Sequence, residues 1–180
     1  MAMAELTPLR IGVTGSREFG SPALITADLL SAHDRARPHD GHILVQGMCD
    51  PRHPDTGRKI PWATARRMSW EVQGRYLGAD WLAVWAALNM SDLLKWEIES
   101  HPADWEAPCR PECRPGHRRR QGRGPEYCPA AGNYRNQEGI IDPGLDELLA
   151  FLKIGAANTG TSDCMRRAGK ARILVHRSAA

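Results

Sequence analysis

Five short stretches of the chain carry the apolar spacing of strands. LRIGVT (9–14) and HILVQG (42–47) are apolar runs that end in or just before glycine, as buried strands do. LKWEIESHPADW (94–105) sets Leu94, Trp96 and Ile98 on one side before a polar HPAD, and ELLAFLK (147–153) and RILVHR (172–177) follow. Between them lie helical spacings. The first opens at Ser21-Pro22, a cap and a first-turn proline, and runs through Leu24, Ile25, Leu29 and Ala32. Others are expected over 62–76, over LGADWLAVWAALNM (77–90), over 132–142, and after the Gly-rich turn that leads 155–171. The alternation β-α-β-α-β-α-β-α-β predicts an α/β fold: a doubly wound, mainly parallel five-stranded sheet with helices on both faces. Two segments interrupt it, 48–76 and 106–131, within one domain spanning 1–180.

Composition changes this picture little. The chain has 180 residues, 42% of them apolar and 25% charged, with a net charge of +3, which suits one soluble domain with a core of its own. No apolar run approaches the ~18 residues of a membrane span. The opening MAMAELTPLR has no basic segment followed by an apolar one, so no secretory signal is expected and a reducing, cytoplasmic location is the default. Arginine far outnumbers lysine, and a GC-rich coding sequence is the plainest reason.

In a doubly wound sheet, ligands bind beyond the carboxyl ends of the strands. Here those ends lead into GSREFG, GMCD, HPAD and GAANTGT, all polar or glycine-rich. Gly15-Ser16-Arg17 reads as a phosphate-approaching loop or as an ordinary turn; it lacks GxGxxG. Gly160-Thr161 at a helix start suits an anion, or Thr161 and Ser162 simply cap the helix. Arg135-Asn136 offers a bidentate phosphate contact or a solvated arginine. Asp80 is a helix cap or a ribose-hydroxyl acceptor.

Taken in order, VTGSREF, GADWLAVWAA, HPADW, GNYRNQ and FLKIGAANTGTSDCMRRA resemble the SLOG superfamily, in its YspA-like branch common in actinobacteria and their phages. The resemblance covers Leu9 to Val175 apart from the two insertions. It implies a Rossmann-like fold whose nucleotide pocket is lined by Gly15, Ser16, Arg17, Gly47, Asp80, Arg135, Asn136, Gly160 and Thr161, and it implies a homodimer. LOG-type relatives release a base from a nucleoside monophosphate through a motif similar to GGxGTxxE. In this chain Cys164 stands where that glutamate would be. The resemblance therefore implies binding without LOG-type hydrolysis, with Asp163 and Asp104 as relocated acids if hydrolysis persists.

The second insertion contains CRPECRPGHRRRQGRGPEYC (109–128). Cys109, Cys113, His117 and Cys128 supply a Cys₃His set of zinc's preferred donor types. Tyr127 is the one bulky hydrophobe there, so the segment has no core with which to order itself. Structural zinc is the expectation; free thiols in a loop, or a disulfide, are the alternatives. Cys49 and His53 form an isolated pair at i and i+4, and Cys164 reads as a small packed residue. The arginines Arg118-Arg119-Arg120 suggest nucleic acid as a partner, or a solvated basic loop, or a lid beside the pocket.

Overall fold

The computed structural model describes residues 6–36, 38–120 and 122–180. Residues 1–5, on which part of the reading of the N-terminus rests, and Gln121 in the second insertion lie outside the described residues.

The sheet is five-stranded, with every pairing parallel. In chain order its strands are β1 (Leu9–Gly15), β2 (His42–Gln46), β3 (Trp96–Ser100), β6 (Glu147–Leu152) and β7 (Leu174–Ala179), arranged β3-β2-β1-β6-β7. The chain builds outward from β1 to β3, then returns to the other side of β1. That reversal opens a crevice at the carboxyl ends, where such folds hold ligands.

The helices lie on both faces, as the alternation predicts. α1 (Pro22–Arg35) and α4 (Ala79–Asn89) cover Ile11, Val13, Leu44, Leu149 and Phe151, with Phe19 and Phe151 rings 5.2 Å apart. On the opposite face α6 (Thr159–Lys170) and a wide π-turn (Asn136–Ile141), entered from α5 (Ala131–Arg135), cover Val45 and Leu148. Ser21 caps α1 by accepting from Leu24 N at 3.3 Å, with Pro22 in the first turn.

α4 is apolar nearly all round, which demands cover on its outer side as well. The first insertion supplies it. Trp81 Nε1 donates to Gln73 O at 2.8 Å, Trp85 Nε1 to Trp70 O at 3.1 Å, and Trp62 meets Trp81 edge-on at 5.0 Å. The single helix expected over 62–76 is instead two short turns, α2 (Trp62–Ala65) and α3 (Trp70–Gln73). The buried Gln73 amide donates to Met68 O and Arg66 O, carbonyls that a continuous helix would pair along its own backbone. The last strand starts two residues later than its apolar run. α6 closes with Arg172 at φ 61°, Ile173 N bonding Ala168 O and Arg172 N bonding Gly169 O, a Schellman close that delays β7.

Candidate functional site

A cavity of about 750 Å³ opens at the carboxyl ends of β1, β2 and β3, within the range of small-molecule sites. Its wall includes Arg17 after β1, Gly47 and Met48 after β2, Arg52 and Lys59 from the first insertion, and Arg135 from α5. Trp105 follows β3 and Tyr127 comes from the second insertion. Four of the lining side chains are cationic (Arg17, Arg52, Lys59, Arg135) and two are carboxylates (Asp50, Glu106). The surplus favours an anion. Trp105 and Tyr127, with ring centroids 6.4 Å apart, add aromatic surface.

Gly47 fixes Arg135. A Cβ built on Gly47 would stand 1.4 Å from an Arg135 Nη, so the guanidinium rests where any larger residue would put its side chain. The same Nη1 donates to His101 O at 3.1 Å, and Nε is buried without a partner. Gly15 works similarly at the base of the site, where a Cβ would meet Ala79 Cβ at 2.3 Å; α4 can therefore begin against the end of β1. Ser16 O accepts from Ala79 N at 3.2 Å, and Ser16 Oγ from Glu18 N at 3.1 Å.

Of the nine residues expected around a nucleotide, Arg17, Gly47 and Arg135 line this cavity. Of the others, Gly15, Ser16, Asp80 and Asn136 brace the elements around it. Asp80 is not the cap of α4, which is Gly78; its buried carboxylate accepts from Cys49 N at 3.1 Å and anchors the loop that carries Met48 and Asp50. Buried Gln46 holds the same loop, accepting from Met48 N and donating to Ser100 Oγ. Asn136 donates to Gly160 O at 3.3 Å and joins the π-turn to the start of α6. That helix is capped by Asn158 in the left-handed region at φ 43°, rather than by Thr161 or Ser162, and without a side-chain bond to the first turn. Nothing stands within 4 Å of a Cβ at Gly160, and Thr161 is buried. Arg52, Lys59, Trp105 and Tyr127 were not expected in the site. Arg52 and Lys59 meet because an isolated antiparallel bridge pairs them, a contact with no signature in the apolar pattern.

The candidate acids are engaged elsewhere. Burial alone would raise the Asp163 pKa, but its bonds to Arg167 and Arg166 outweigh that and hold it below the usual carboxylate range. Asp104 Oδ1 accepts from Glu106 N and Ala107 N, closing the turn after β3. Cys164 is sealed among Val45, Ile140 and Leu148, and burial pushes its thiol up to about 11. Burial, then the neighbouring Asp80, push Cys49 up to about 11 too, so that thiol is neutral at pH 7 and a poor nucleophile. His53 turns to its own loop, where Nδ1 accepts from Asp55 N at 3.3 Å.

The second insertion folds as a clip. Its β4 (Arg119–Arg120) and β5 (Glu126–Tyr127) pair antiparallel, and the ligand atoms of Cys109, Cys113, His117 and Cys128 all lie within 4.8 Å of one another. Cys113 Sγ is 3.9 Å from Cys128 Sγ; His117 Nε2 is 3.6 Å from Cys109 Sγ and 3.1 Å from Cys128 Sγ. A tetrahedral zinc at its normal bond lengths sets sulfurs about 3.8 Å apart and sulfur from nitrogen about 3.6 Å. All the cysteines are free thiols, and a sulfur separation of 3.9 Å is not a disulfide. His117 Nδ1 lies 2.7 Å from Arg114 O, the outer bond that turns Nε2 inward. The four residues therefore fit a Cys₃His metal centre.

The clip is tied to the element bearing Arg135. Tyr134 Oη lies 2.9 Å from Cys113 Sγ, a bond that lowers the Cys113 pKa and pushes Tyr134 up to about 12. Arg110 forks onto Glu138 and lies over the Tyr134 ring at 4.3 Å. Half of the arginines of the stretch are spent internally: Arg110, Arg118 on Ala107 O and Glu126 O, and Arg120 on Glu126. Arg114, Arg119 and Arg123 are exposed.

No family model matches the chain, and neither curated proteins nor solved structures yield a match. Among the described residues no helix is long and apolar enough to cross a membrane.

Proposed function

We propose that this protein binds a nucleotide or nucleotide-derived small molecule in the cavity at the carboxyl edge of its sheet, without LOG-type hydrolysis, and that a structural zinc orders the insertion forming one wall. The observation that carries this reading is the cavity itself. Four cations and two aromatic rings converge there at the strand ends of a doubly wound sheet. Cations suit phosphates through charge-assisted hydrogen bonds, and aromatic faces suit a base. The resemblance to the SLOG superfamily supports the same ligand class. Against hydrolysis stand the sealed Cys164 at the glutamate position and the ion-paired Asp163.

The zinc reading rests on the donor set. Three thiolates and an imidazole with no open fourth position describe a closed site that folds a segment rather than one that activates water.

Calorimetry against AMP, ADP-ribose and cyclic ADP-ribose isomers tests the first part. Binding by at least one of them, abolished in Arg135→Ala, is the expected result; no heat and no thermal shift with any nucleotide refutes it. Elemental analysis of protein purified without a metal-affinity column tests the second, with zinc expected in the wild type and lost in Cys128→Ser.

A further inference from the structure

We propose that His33, His39 and His42 form a second metal site, one that takes a first-row divalent cation of zinc's class through three imidazole nitrogens. The site lies at the other end of the sheet from the cavity. His33 is in the last turn of α1, His39 lies on the connection to β2, and His42 is the first residue of β2. Gly47 follows the last residue of that strand, so the strand itself separates the two sites by about 16 Å.

The geometry is that of converging donors. His33 Nδ1 stands 2.9 Å from His42 Nε2, and His39 Nε2 stands 3.0 Å from the same atom. Ligand nitrogens on a tetrahedral zinc stand about 3.3–3.4 Å apart, so a few tenths of an ångström of opening admits the ion. His42 Nδ1 lies 3.0 Å from Lys95 O. Its proton must be on Nδ1 to make that bond, which leaves the lone pair on Nε2, facing the two other rings. A backbone carbonyl behind a ligating imidazole is the usual orienting partner of a metal-bound histidine.

A neutral imidazole nitrogen offers one in-plane lone pair, yet two ring nitrogens crowd His42 Nε2 at bonding distance. One lone pair is thus shared between two rings. A cation satisfies all three lone pairs at once. The cluster is also built into the fold: His42 is buried and its ring lies 4.5 Å from that of Trp96 on β3. Among the described residues no cysteine, carboxylate or fourth histidine joins the set. Three neutral ligands thus leave one position for water, and imidazole donors select zinc or another late first-row metal over magnesium or calcium. The bound ion would clamp the end of α1 to the start of β2.

The test counts metal by difference. Wild type and the His33→Gln/His39→Gln double variant are stripped with chelator, reloaded with zinc, desalted and measured for zinc per chain. His42 stays in place because it is buried; both altered histidines are half-exposed, and circular dichroism checks the fold. Loss of one equivalent in the double variant is expected, whatever the Cys₃His centre holds. Equal stoichiometry in the two proteins overturns the proposal. Cobalt gives a second readout with His39→Gln alone. The Cys₃His centre yields sulfur-to-cobalt charge-transfer absorption, whereas a three-histidine centre adds ligand-field bands without it. Selective loss of those added bands is expected, and their persistence at wild-type intensity overturns the proposal.

Discussion

Gly47→Ala isolates the role of Arg135 without removing its charge. The new methyl carbon would fall 1.4 Å from Nη1 and 2.3 Å from the central guanidinium carbon. Neither atom can stay. The obstacle is the far end of a flexible side chain, so the backbone of β2 need not shift, and the domain should fold. What is lost is the 3.1 Å bond from Arg135 to His101 O and the position of the charge over the cavity. The lost bond costs about 1 kcal/mol, because a displaced guanidinium regains water. For a domain of this size that lowers Tm by about 2–4 °C. Binding should suffer more. A charge-assisted hydrogen bond to a phosphate is worth about 1.5–3 kcal/mol, so Kd should rise about 10- to 150-fold at 1.4 kcal/mol per decade. Calorimetry with the nucleotide that binds wild type, beside a thermal melt, reads both quantities. A G47A protein that melts near wild type yet binds with unchanged affinity would refute the assignment of Arg135 to the ligand. A collapse of Tm well beyond the stated range would show instead that the close approach is a folding requirement.

The clip should respond to chelation locally, because no residue between Trp105 and Ala131 belongs to either core cluster. Stripped of metal, the protein should be cut by trypsin at Arg118–Arg123 while β-sheet circular dichroism persists, and nucleotide affinity should fall as Tyr134 loses Cys113; resistance to cleavage after stripping would argue that the segment orders itself. At the β3 edge, Glu99 accepts from Arg10 and pairs with His101, and chiefly the Arg10 bond holds its pKa below the usual value. A depressed folded-state pKa gives stability that is complete above the unfolded carboxylate value of about 4.3 and is lost as pH falls through the folded one. Melts from pH 7 down to pH 3 should therefore fall more steeply for wild type than for Glu99→Gln, and parallel curves would exclude the pair as a contributor.

Much of the architecture is legible in the apolar pattern. Strands such as LRIGVT and ELLAFLK are buried on both faces and so read as runs, and Ser21-Pro22 announces α1 through local capping chemistry that needs no tertiary partner. The Cys₃His set was visible for a related reason: thiols and an imidazole in a coreless segment have few other uses. The errors fall where a polar side chain takes up backbone groups of its own segment, which apolar spacing does not register. Helix 62–76 breaks because Gln73 reaches back to two carbonyls, and α6 is capped by Asn158 because that side chain also bonds Lys153.

The cavity divides in the same way. From sequence alone came the element order, the polar strand ends, the Cys₃His set, and Arg17, Gly47 and Arg135 as residues of one edge. Only the tertiary structure decided that Asp80 and Asn136 brace loops, that Arg52 and Lys59 join the cavity, and that the Cys₃His clip walls it beside Trp105. It alone brought His33, His39 and His42 together from a helix end, a turn and a strand start. Periodicity and capping are local properties and are written along the chain. A cavity is a meeting of residues far apart in sequence, set by how parallel strands and their insertions pack, and no local pattern encodes that meeting.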